Sequence, residues 1–296
     1  MITLNWPHEG VREIDGNRLV QSGSNICLDL HGDPVAAGLT VFSDGNHHMA
    51  LEQALRIFIA DHLESVDIFY ATTPPRVLVE ALVTGAIVLG NLRIAVTPHV
   101  FISPPQVLDG LVAHGAMRQH APFVMSRGNV LLVRNGNPRN IRGITDLVRR
   151  EVTMFLSNPV TETVSYDTYA GTLRHIAGRM NIDLEFLDGR PHPRLVYGDS
   201  IHHREAPQAV ADGRADVAVV FHHLALRYTR IFPDLFEIVP LTEAGLSDPG
   251  QVRRATHIGL VGDGGKWGAR LVEFMLGDRV AAIYRHHGLD SLQQGT

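Results

Sequence analysis

The sequence predicts an α/β fold, because short apolar runs alternate along the chain with amphipathic stretches. The apolar runs are bounded by Gly, Pro, Asn or Asp, which is the pattern of strands covered on both faces. The amphipathic stretches place apolar residues three and four positions apart, as in helices that pack one face on a sheet. With 296 residues, 45% of them hydrophobic, the chain is long enough to build two lobes.

Eight strands and three helices follow from these patterns. The predicted strands are Leu39–Phe42, Val66–Tyr70, His99–Ile102, Val130–Val133, Val152–Leu156, Asp216–Phe221, Leu235–Val239 and His257–Val261. The helical stripes are Leu51, Leu55, Phe58 and Ile59; Tyr166, Tyr169, Leu173 and Ile176; and Trp267, Leu271, Phe274 and Met275.

Two segments, Thr73–Ile87 and Ser103–Met117, share a pattern that predicts two more helices. Each places a hydroxyl residue before two prolines, then an apolar stripe and then a glycine. We expect the hydroxyl at the helix cap, proline in the first turn and glycine at the helix end. Each segment would be the helix of a strand–helix unit, and successive units have the same packing requirement. This explains their similarity without a duplication of the sequence.

Composition excludes several functional classes. The net charge of −5 and the lack of a basic stripe exclude a nucleic-acid partner for this chain. A single cysteine, Cys27, excludes an intrachain disulfide or a multi-cysteine metal site, and we expect it in the core. No apolar run reaches membrane-spanning length, so no membrane insertion is predicted. The first residues lack an export signal, which predicts a cytoplasmic protein as written and a periplasmic one if a signal peptide was trimmed.

Catalytic and cofactor motifs are missing from the sequence. There is no Gly-x-Ser-x-Gly elbow, phosphate-binding P-loop, His-Glu-x-x-His helix or dinucleotide-binding glycine fingerprint. The sequence therefore predicts a protein that is not an enzyme and has no cofactor.

The order of the parts resembles that of the type II periplasmic binding proteins, and within them the molybdate-binding branch. The resemblance is carried by the strand and polar turn at 41–48, by the alternation that follows, and by the closing segment at 271–289. It implies two lobes of mixed sheets with helices on both faces, which close on a small ligand held in a cleft between them. It also implies an ABC transporter permease or a regulatory protein as partner.

The same resemblance places the lobe boundaries and the ligand loops. Lobe one would comprise residues 39–125 and 250–296, lobe two residues 126–245, and residues 1–38 would be an N-terminal extension. Ser43 occupies the serine position of the family's first ligand loop, although polar residues replace the small, nearly apolar residues that usually follow it. Further loops lie at 71–75, 156–162 and 200–208, and after the strand that ends at 221. The candidate ligand residues are Ser43, Asp44, Asn46, His47, Thr72, Thr73, Asn158, Thr161, His203, Arg204, Glu205 and His222.

Two site chemistries remain open. Arg204, Ser43 and the two threonines would hold an oxyanion or a small carboxylate through charge-assisted and neutral hydrogen bonds. A transition metal would instead use imidazoles and one carboxylate. The possible metal ligands are His47, His203, Glu205 and His222. Arg204 disfavours a bare cation, so a molybdate- or tungstate-like oxyanion or a small carboxylate is the leading hypothesis, for transport or sensing. A metal-binding protein and a cytoplasmic ligand-sensing domain are the alternatives.

Each loop also has a purely structural interpretation. Ser43 and Asp44 could simply cap a helix, and Glu205 could neutralise Arg204 within the protein. Pro207 is typical of a first helical turn, which predicts that His203, Arg204 and Glu205 lie at or just before the start of a helix.

Overall fold

The computed structural model describes residues 30–44, 47–62, 67–73, 75–89, 91–184, 186–188, 190–199 and 202–292. Cys27 and Asn46 lie outside the described residues. The described chain divides into a terminal unit, residues 30–125 and 255–292, and a central unit, Ser126–Arg254. Within the described residues, no helix has both the length and the apolar character needed to cross a membrane.

Strands and helices alternate along the described chain, as predicted. The strands are β1 Leu30–His31, β2 Leu39–Ser43, β3 Ile68–Thr72, β4 Ala86–Leu89, β5 Leu92–Ala95, β6 Val100–Ser103, β7 Met117–Ser126, β8 Asn129–Arg134, β9 Met154–Leu156, β10 Leu195–Tyr197, β11 Val217–Phe221, β12 Phe236–Val239, β13 Ala255–Val261 and β14 Leu289–Ser291. The helices are α1 His48–Asp61, α2 Pro75–Thr84, α3 Pro105–Ala113, α4 Thr163–Met180, α5 His202–Ala211, α6 His222–Ile231, α7 Gly265–Met275 and α8 Asp278–His286. Short 3-10 turns lie at Ile144–Val148 and Gly245–Ser247.

The terminal unit is built on a mixed seven-stranded sheet in the order β1-β3-β2-β6-β13-β7-β14. Its strands β3, β2 and β6 are neighbours and run parallel. Alternate residues of β2 enter different cores, as the period of a strand requires. Val41 packs with residues of α1, α7 and α8, whereas Phe42 packs with residues of α2 and α3. The sheet is therefore covered by helices on both faces.

The central unit is built on a five-stranded sheet in the order β10-β9-β11-β8-β12. Strands β10, β9 and β11 run parallel, whereas β8 is antiparallel to both of its neighbours. Every residue of β11 is buried, and so is all of β8 except its last residue. Strands buried on both faces read as continuous apolar runs, which is why the sequence predicted them clearly.

All eight predicted strands are present, and no end is shifted by more than two residues. Two of the strands that the sequence did not predict, β4 and β5, pair with each other in a separate antiparallel two-stranded sheet. The others are either very short, as β1, β10 and β14 are, or irregular. Strand β7 carries polar residues and Pro122, and its pairing with β13 contains two register shifts. Its sequence therefore lacks a clear period of two.

The two repeated segments form α2 and α3, and left-handed Gly85 and Gly115 follow them, with φ of 66° and 72°. The expected cap is wrong for α3. Its N-cap is Pro104 and makes no side-chain cap hydrogen bond, so Ser103 is left as the last residue of β6. His203, Arg204 and Glu205 lie at a helix start, as predicted, but the expected place of Pro207 in the first turn is wrong, because α5 begins at His202 and Pro207 lies inside it.

Candidate functional site

Three hydroxyl residues end the three neighbouring parallel strands of the terminal unit. Ser43 ends β2, Thr72 ends β3 and Ser103 ends β6. Their exposed fractions are 0%, 3% and 0%. A helix follows each strand within five residues, and the backbone N–H groups of its first turn have no partner within the helix. Helix N-termini favour negatively charged groups.

The helices that follow these strands leave the sheet on opposite faces. Leu51 and Leu55 of α1 pack with the core on one face, whereas Leu78 of α2 and Leu108 of α3 pack with the core on the other. The connection after β2 therefore covers one face of the sheet, whereas the connections after the neighbouring strands β3 and β6 cover the other face. In open α/β sheets this change of face creates a crevice beyond the carboxyl ends of the strands, where small ligands bind.

His47 is held in a buried network beside Ser43. Its Nδ1 lies 3.1 Å from the hydroxyl of Tyr284, and its Nε2 lies 3.3 Å from Oγ of Ser43 and 3.5 Å from Oδ1 of Asp44. Burial lowers the pKa of His47, although the charge of Asp44 opposes that shift. His47 is also the N-cap of α1 and makes no side-chain cap hydrogen bond. The predicted residues Ser43, Asp44 and His47 are thus brought together.

Thr72 and Ser103 differ in what their hydroxyls contact. Oγ1 of Thr72 lies 3.3 Å from Nε2 of His31, whose ring stacks on Tyr70 at 4.3 Å and on His48 at 4.6 Å. Oγ of Ser103 is fully buried and has no hydrogen-bond partner within the described parts of the chain. Thr73 follows Thr72 and is half-buried.

Sequence reasoning missed His31 and Ser103 as site residues. His31 lies in a strand of two residues within the predicted N-terminal extension, where no periodicity marks it. Ser103 was interpreted as a helix cap, and its position at the end of a strand that is parallel to β2 was the signal that could have identified it.

The loop after β9 uses its predicted ligand residues to hold its own shape. Oδ1 of Asn158 accepts hydrogen bonds from the N–H groups of Val160 and Thr161, and its Nδ2 donates to the carbonyl of Gly198 at 2.9 Å. The hydroxyl of Thr161 donates to the carbonyl of Asp199 at 3.1 Å. Both side chains therefore join the β9–α4 loop to the β10–α5 connection.

Three predicted residues lie in the first turn of α5. Oε2 of Glu205 accepts a hydrogen bond from the N–H of Asp199 at 2.7 Å, and Arg204 is half-buried. Burial holds the pKa of His203 well below its usual value, and the charges of Arg204 and Arg227 lower it further. The first turn of α5 thus combines an arginine with an uncharged histidine.

The strand that precedes α6 brings the last predicted residue to the same end of the central sheet. His222 is the first residue of α6, is half-buried, and donates its backbone N–H to the carbonyl of Gly128 at 3.0 Å. Strands β9, β10 and β11 are parallel, so their following helices all begin at this end. Across the described ranges, no three His, Cys, Asp or Glu side chains come together as ligands for a metal ion.

Fold and strand-end chemistry together define a two-unit α/β solute-binding protein of the type II periplasmic class. The chain belongs to the family described as bacterial extracellular solute-binding proteins, whose model matches residues 39–290. The predicted resemblance to the type II periplasmic binding proteins is thereby confirmed. A search of curated protein sequences finds no significant match.

Solved structures of solute-binding proteins have the same fold. The sulfate-binding protein SubI from Mycobacterium tuberculosis is 16% identical, with a TM-score of 0.62 and 86% of each chain covered. The periplasmic molybdate-binding protein of Azotobacter vinelandii is 16% identical, with a TM-score of 0.59, 86% of this chain and 100% of that chain covered. Iron-bound HitA from Pseudomonas aeruginosa is 11% identical, with a TM-score of 0.58 and 87% of each chain covered. Identities this low show the fold alone.

Proposed function

We propose that the protein captures a small anion, either an oxyanion or a small carboxylate, outside the cytoplasm and presents it to an ABC transporter. Export and a transporter partner are typical of the extracellular solute-binding family to which the chain belongs. Binding without catalysis is also what the family description implies.

The observation that carries this proposal is the set of hydroxyls at the switch point of the terminal sheet. Ser43, Thr72 and Ser103 end adjacent parallel strands, and each precedes the N-terminus of a helix. Hydroxyl and backbone N–H donors in a buried setting bind anionic oxygens strongly. Ser103 supports the proposal most directly, because burying a hydroxyl without a partner is costly unless a ligand provides one.

In the central unit, Arg204 is the proposed charge-compensating contact, and His203 and His222 are proposed neighbours of the ligand. The metal alternative has less support. Arg204 would repel a cation, and the described residues hold no preformed metal-ligand set.

A thermal-shift screen tests the proposal. Molybdate, tungstate, sulfate, phosphate, small carboxylates and divalent metals are added to the purified protein. A true ligand stabilises the fold by RT ln(1 + [L]/Kd), about 2.7 kcal/mol at a hundredfold excess over Kd. A protein that responds to no anion is not the receptor proposed here.

Ser103→Ala separates ligand binding from folding. Without ligand, the variant should be at least as stable as the wild type, because it removes a buried hydroxyl that lacks a partner. Affinity for the anion should fall roughly tenfold to a hundredfold in calorimetry, since one hydrogen bond to a charged group is lost. Thr84→Val, at the opposite end of α2, is the control and should leave affinity unchanged. An unchanged affinity in Ser103→Ala would remove Ser103 from the site.

Arg204→Ala and His203→Ala distinguish an anion from a metal. For an anion, Arg204→Ala should weaken binding by about one to two decades, because a charge-assisted contact is lost, and His203→Ala should cost less. For a metal, His203→Ala should abolish binding and Arg204→Ala should be harmless or favourable. Calorimetry on both variants decides between the two outcomes.

A further inference from the structure

Several side chains of the central unit bury polar atoms that have no hydrogen-bond partner within the described residues, and three of these side chains lie in the β9–α4 loop and at the start of α5. In these three, the atoms are Oγ of Ser157, Oε2 of Glu162 and both ring nitrogens of His202. Ser157 and His202 have exposed fractions of 0% and 2%. Native proteins rarely leave so many buried polar atoms unsatisfied in one region. We call these three residues the polar cluster.

The members of the polar cluster lie at one end of the central sheet. Ser157 directly follows β9, Glu162 is the N-cap of α4, and His202 is the first residue of α5. Oε1 of Glu162 accepts a hydrogen bond from the backbone N–H of His202 at 2.9 Å. The other oxygen of the same carboxyl, Oε2, is buried and makes no hydrogen bond with the described part of the chain.

The ring of His202 lies between two aromatic rings, that of Tyr169 at 4.6 Å and that of Phe155 at 5.5 Å between centroids. This apolar burial lowers the pKa of His202 to about 3. The ring is therefore uncharged near neutral pH, so that one nitrogen donates a hydrogen bond and the other accepts one. Burial also raises the pKa of Glu162 and the nearby charge of Glu205 adds to that shift, whereas the backbone N–H groups of His202 and Asn158 oppose it.

The polar cluster needs a partner that donates hydrogen bonds as well as accepting them. A bare tetrahedral oxyanion such as sulfate or molybdate offers only acceptor oxygens. It satisfies the hydroxyl of Ser157 and one nitrogen of His202, but leaves the second nitrogen and the carboxyl oxygen of Glu162 unpaired. An alcohol hydroxyl donates one hydrogen bond and accepts others, so it matches both kinds of group.

We propose that Ser157, Glu162 and His202 select a ligand that carries alcohol hydroxyls besides its acid group, so that the natural ligand is a small hydroxycarboxylate. The inference rests on the proposed function, because it names the chemical class of the anion. It assigns ligand specificity to three residues of the β9–α4 loop and the start of α5. The residues that the sequence predicted in this loop, Asn158 and Thr161, stabilise the loop itself.

Matched pairs of acids test the proposal by isothermal titration calorimetry on the full chain. The pairs are malate and succinate, tartronate and malonate, and lactate and propionate, with sulfate and molybdate added as tetrahedral ions. In at least one pair the hydroxylated acid should bind about tenfold to a hundredfold more tightly, as expected for a hydrogen bond to a charged group. Both tetrahedral ions should bind more weakly than that acid.

Variants of the polar cluster should remove this preference while keeping the binding of the plain acid. Glu162→Gln keeps an oxygen for the N–H of His202 but loses the carboxylate, and His202→Phe keeps the aromatic packing. Ser157→Ala is a third, milder change. Glu151→Gln is the matched control, because Glu151 is exposed and pairs with Arg149, and it should keep the full preference.

The outcomes separate the two proposals. Acids that bind without any preference for the hydroxyl, or a preference that survives Glu162→Gln and His202→Phe, overturn the inference and leave the proposed function intact. Such results would mean that the polar cluster holds ordered water only. Tighter binding of sulfate or molybdate than of any hydroxycarboxylate also overturns it. No binding of any anion overturns both proposals.

Discussion

Buried histidines carry much of the polar chemistry of both units, and burial keeps them uncharged. The pKa values of His47, His202 and His203 are all lowered, with desolvation as the largest cause. An uncharged imidazole is at once a donor and an acceptor, so each ring can link a donor to an acceptor. In His47 these two roles connect Tyr284 to Ser43 and Asp44.

The histidine pairs were visible in the sequence, but their partners were not. His47–His48, His202–His203 and His222–His223 lie at strand-to-helix junctions. The contact between His47 and Tyr284 joins residues 237 positions apart, and local spacing gives no sign of such a pair. The stacking of His202 on Tyr169 likewise depends on how α4 and α5 pack.

The low pKa of His202 predicts that the protein loses stability in mild acid. The unfolded chain binds a proton at His202 near pH 6.5, whereas the folded chain does so only near pH 3. The folding stability from this residue is therefore present above about pH 6.5 and falls as the pH drops towards 3. At pH 5 the loss is about 2 kcal/mol relative to pH 7.5.

Urea denaturation at pH 7.5 and pH 5 measures this effect. His202→Phe should lose less stability than the wild type over the same pH range, since it has no proton to take up at that position. His114→Phe, at an exposed histidine, is the control and should keep the wild-type pH dependence. Identical pH dependence in His202→Phe and the wild type would contradict the buried, uncharged state of His202.

At the scale of elements, α5 shows why a prediction based on Pro207 placed the start of the helix too late. Proline lacks the N–H that would bond to the carbonyl four residues earlier, so it is usual in a first turn and rare further on. In α5 the carbonyl that lacks this donor is that of His203, and the hydroxyl of Tyr228 on α6 donates to it instead. A tertiary hydrogen bond thus allows the helix to include Pro207 and to begin four residues earlier than that signal alone would place it.

A double-mutant cycle tests this compensation. Tyr228→Phe should lower the free energy of unfolding by about 1–3 kcal/mol, because the buried carbonyl of His203 loses its donor. In the Pro207→Ala background, residue 207 has an N–H that can donate to the carbonyl of His203. Tyr228→Phe should therefore lower the free energy of unfolding by at least 0.5 kcal/mol less in that background, which is roughly the smallest coupling expected between residues in contact. Urea denaturation gives the four stabilities, and additive effects would show that Tyr228 does not replace the missing helical donor.

Predictability differed among the elements for physical reasons. The buried strands and the helices with regular apolar stripes were predicted, because a continuous apolar run or a helical apolar stripe directly reflects which residues pack in the core. The ends of the sheet were not, because β1 and β14 are too short to show a period and β7 is irregular. The position of Ser103 beside Ser43 was missed because it depends on which strands are neighbours, and local sequence does not show the order of strands in a sheet. The burial of His202 was missed because it depends on how α4 and α5 pack.

At the scale of the whole molecule, the two units use the chain differently. All strands of the central sheet come from one continuous segment, Asn129–Val239. The terminal sheet instead takes β13 and β14 from the last part of the chain, and β13 lies between β6 and β7. The central unit is thus complete in itself, whereas the terminal unit needs residues from both sides of it.

The ends of the central unit are fastened to each other by hydrogen bonds. The N–H of Ser126 donates to the carbonyl of Arg254 at 2.9 Å, and the N–H of Arg254 donates to Oγ of Ser126 at 2.8 Å. The side chain of Gln251 accepts from the N–H of Asn129 at 2.7 Å and donates to its carbonyl at 2.9 Å. Segments whose ends lie together in this way are typical of units that fold alone.

We therefore expect the excised segment Ser126–Arg254 to fold by itself, with circular dichroism of an α/β protein and one cooperative urea transition. Gln251→Ala should destabilise this segment by about 1–3 kcal/mol, because two backbone groups of Asn129 lose their partners. The segment 30–125 is the control and should not fold, since without β13 one edge of β6 and the pairing of β7 are lost, and the core that covers α1 lacks the residues of α7 and α8, among them Trp267, Leu271 and Tyr284. A folded 30–125 segment, or an excised central unit without a cooperative transition, would contradict this division of the chain.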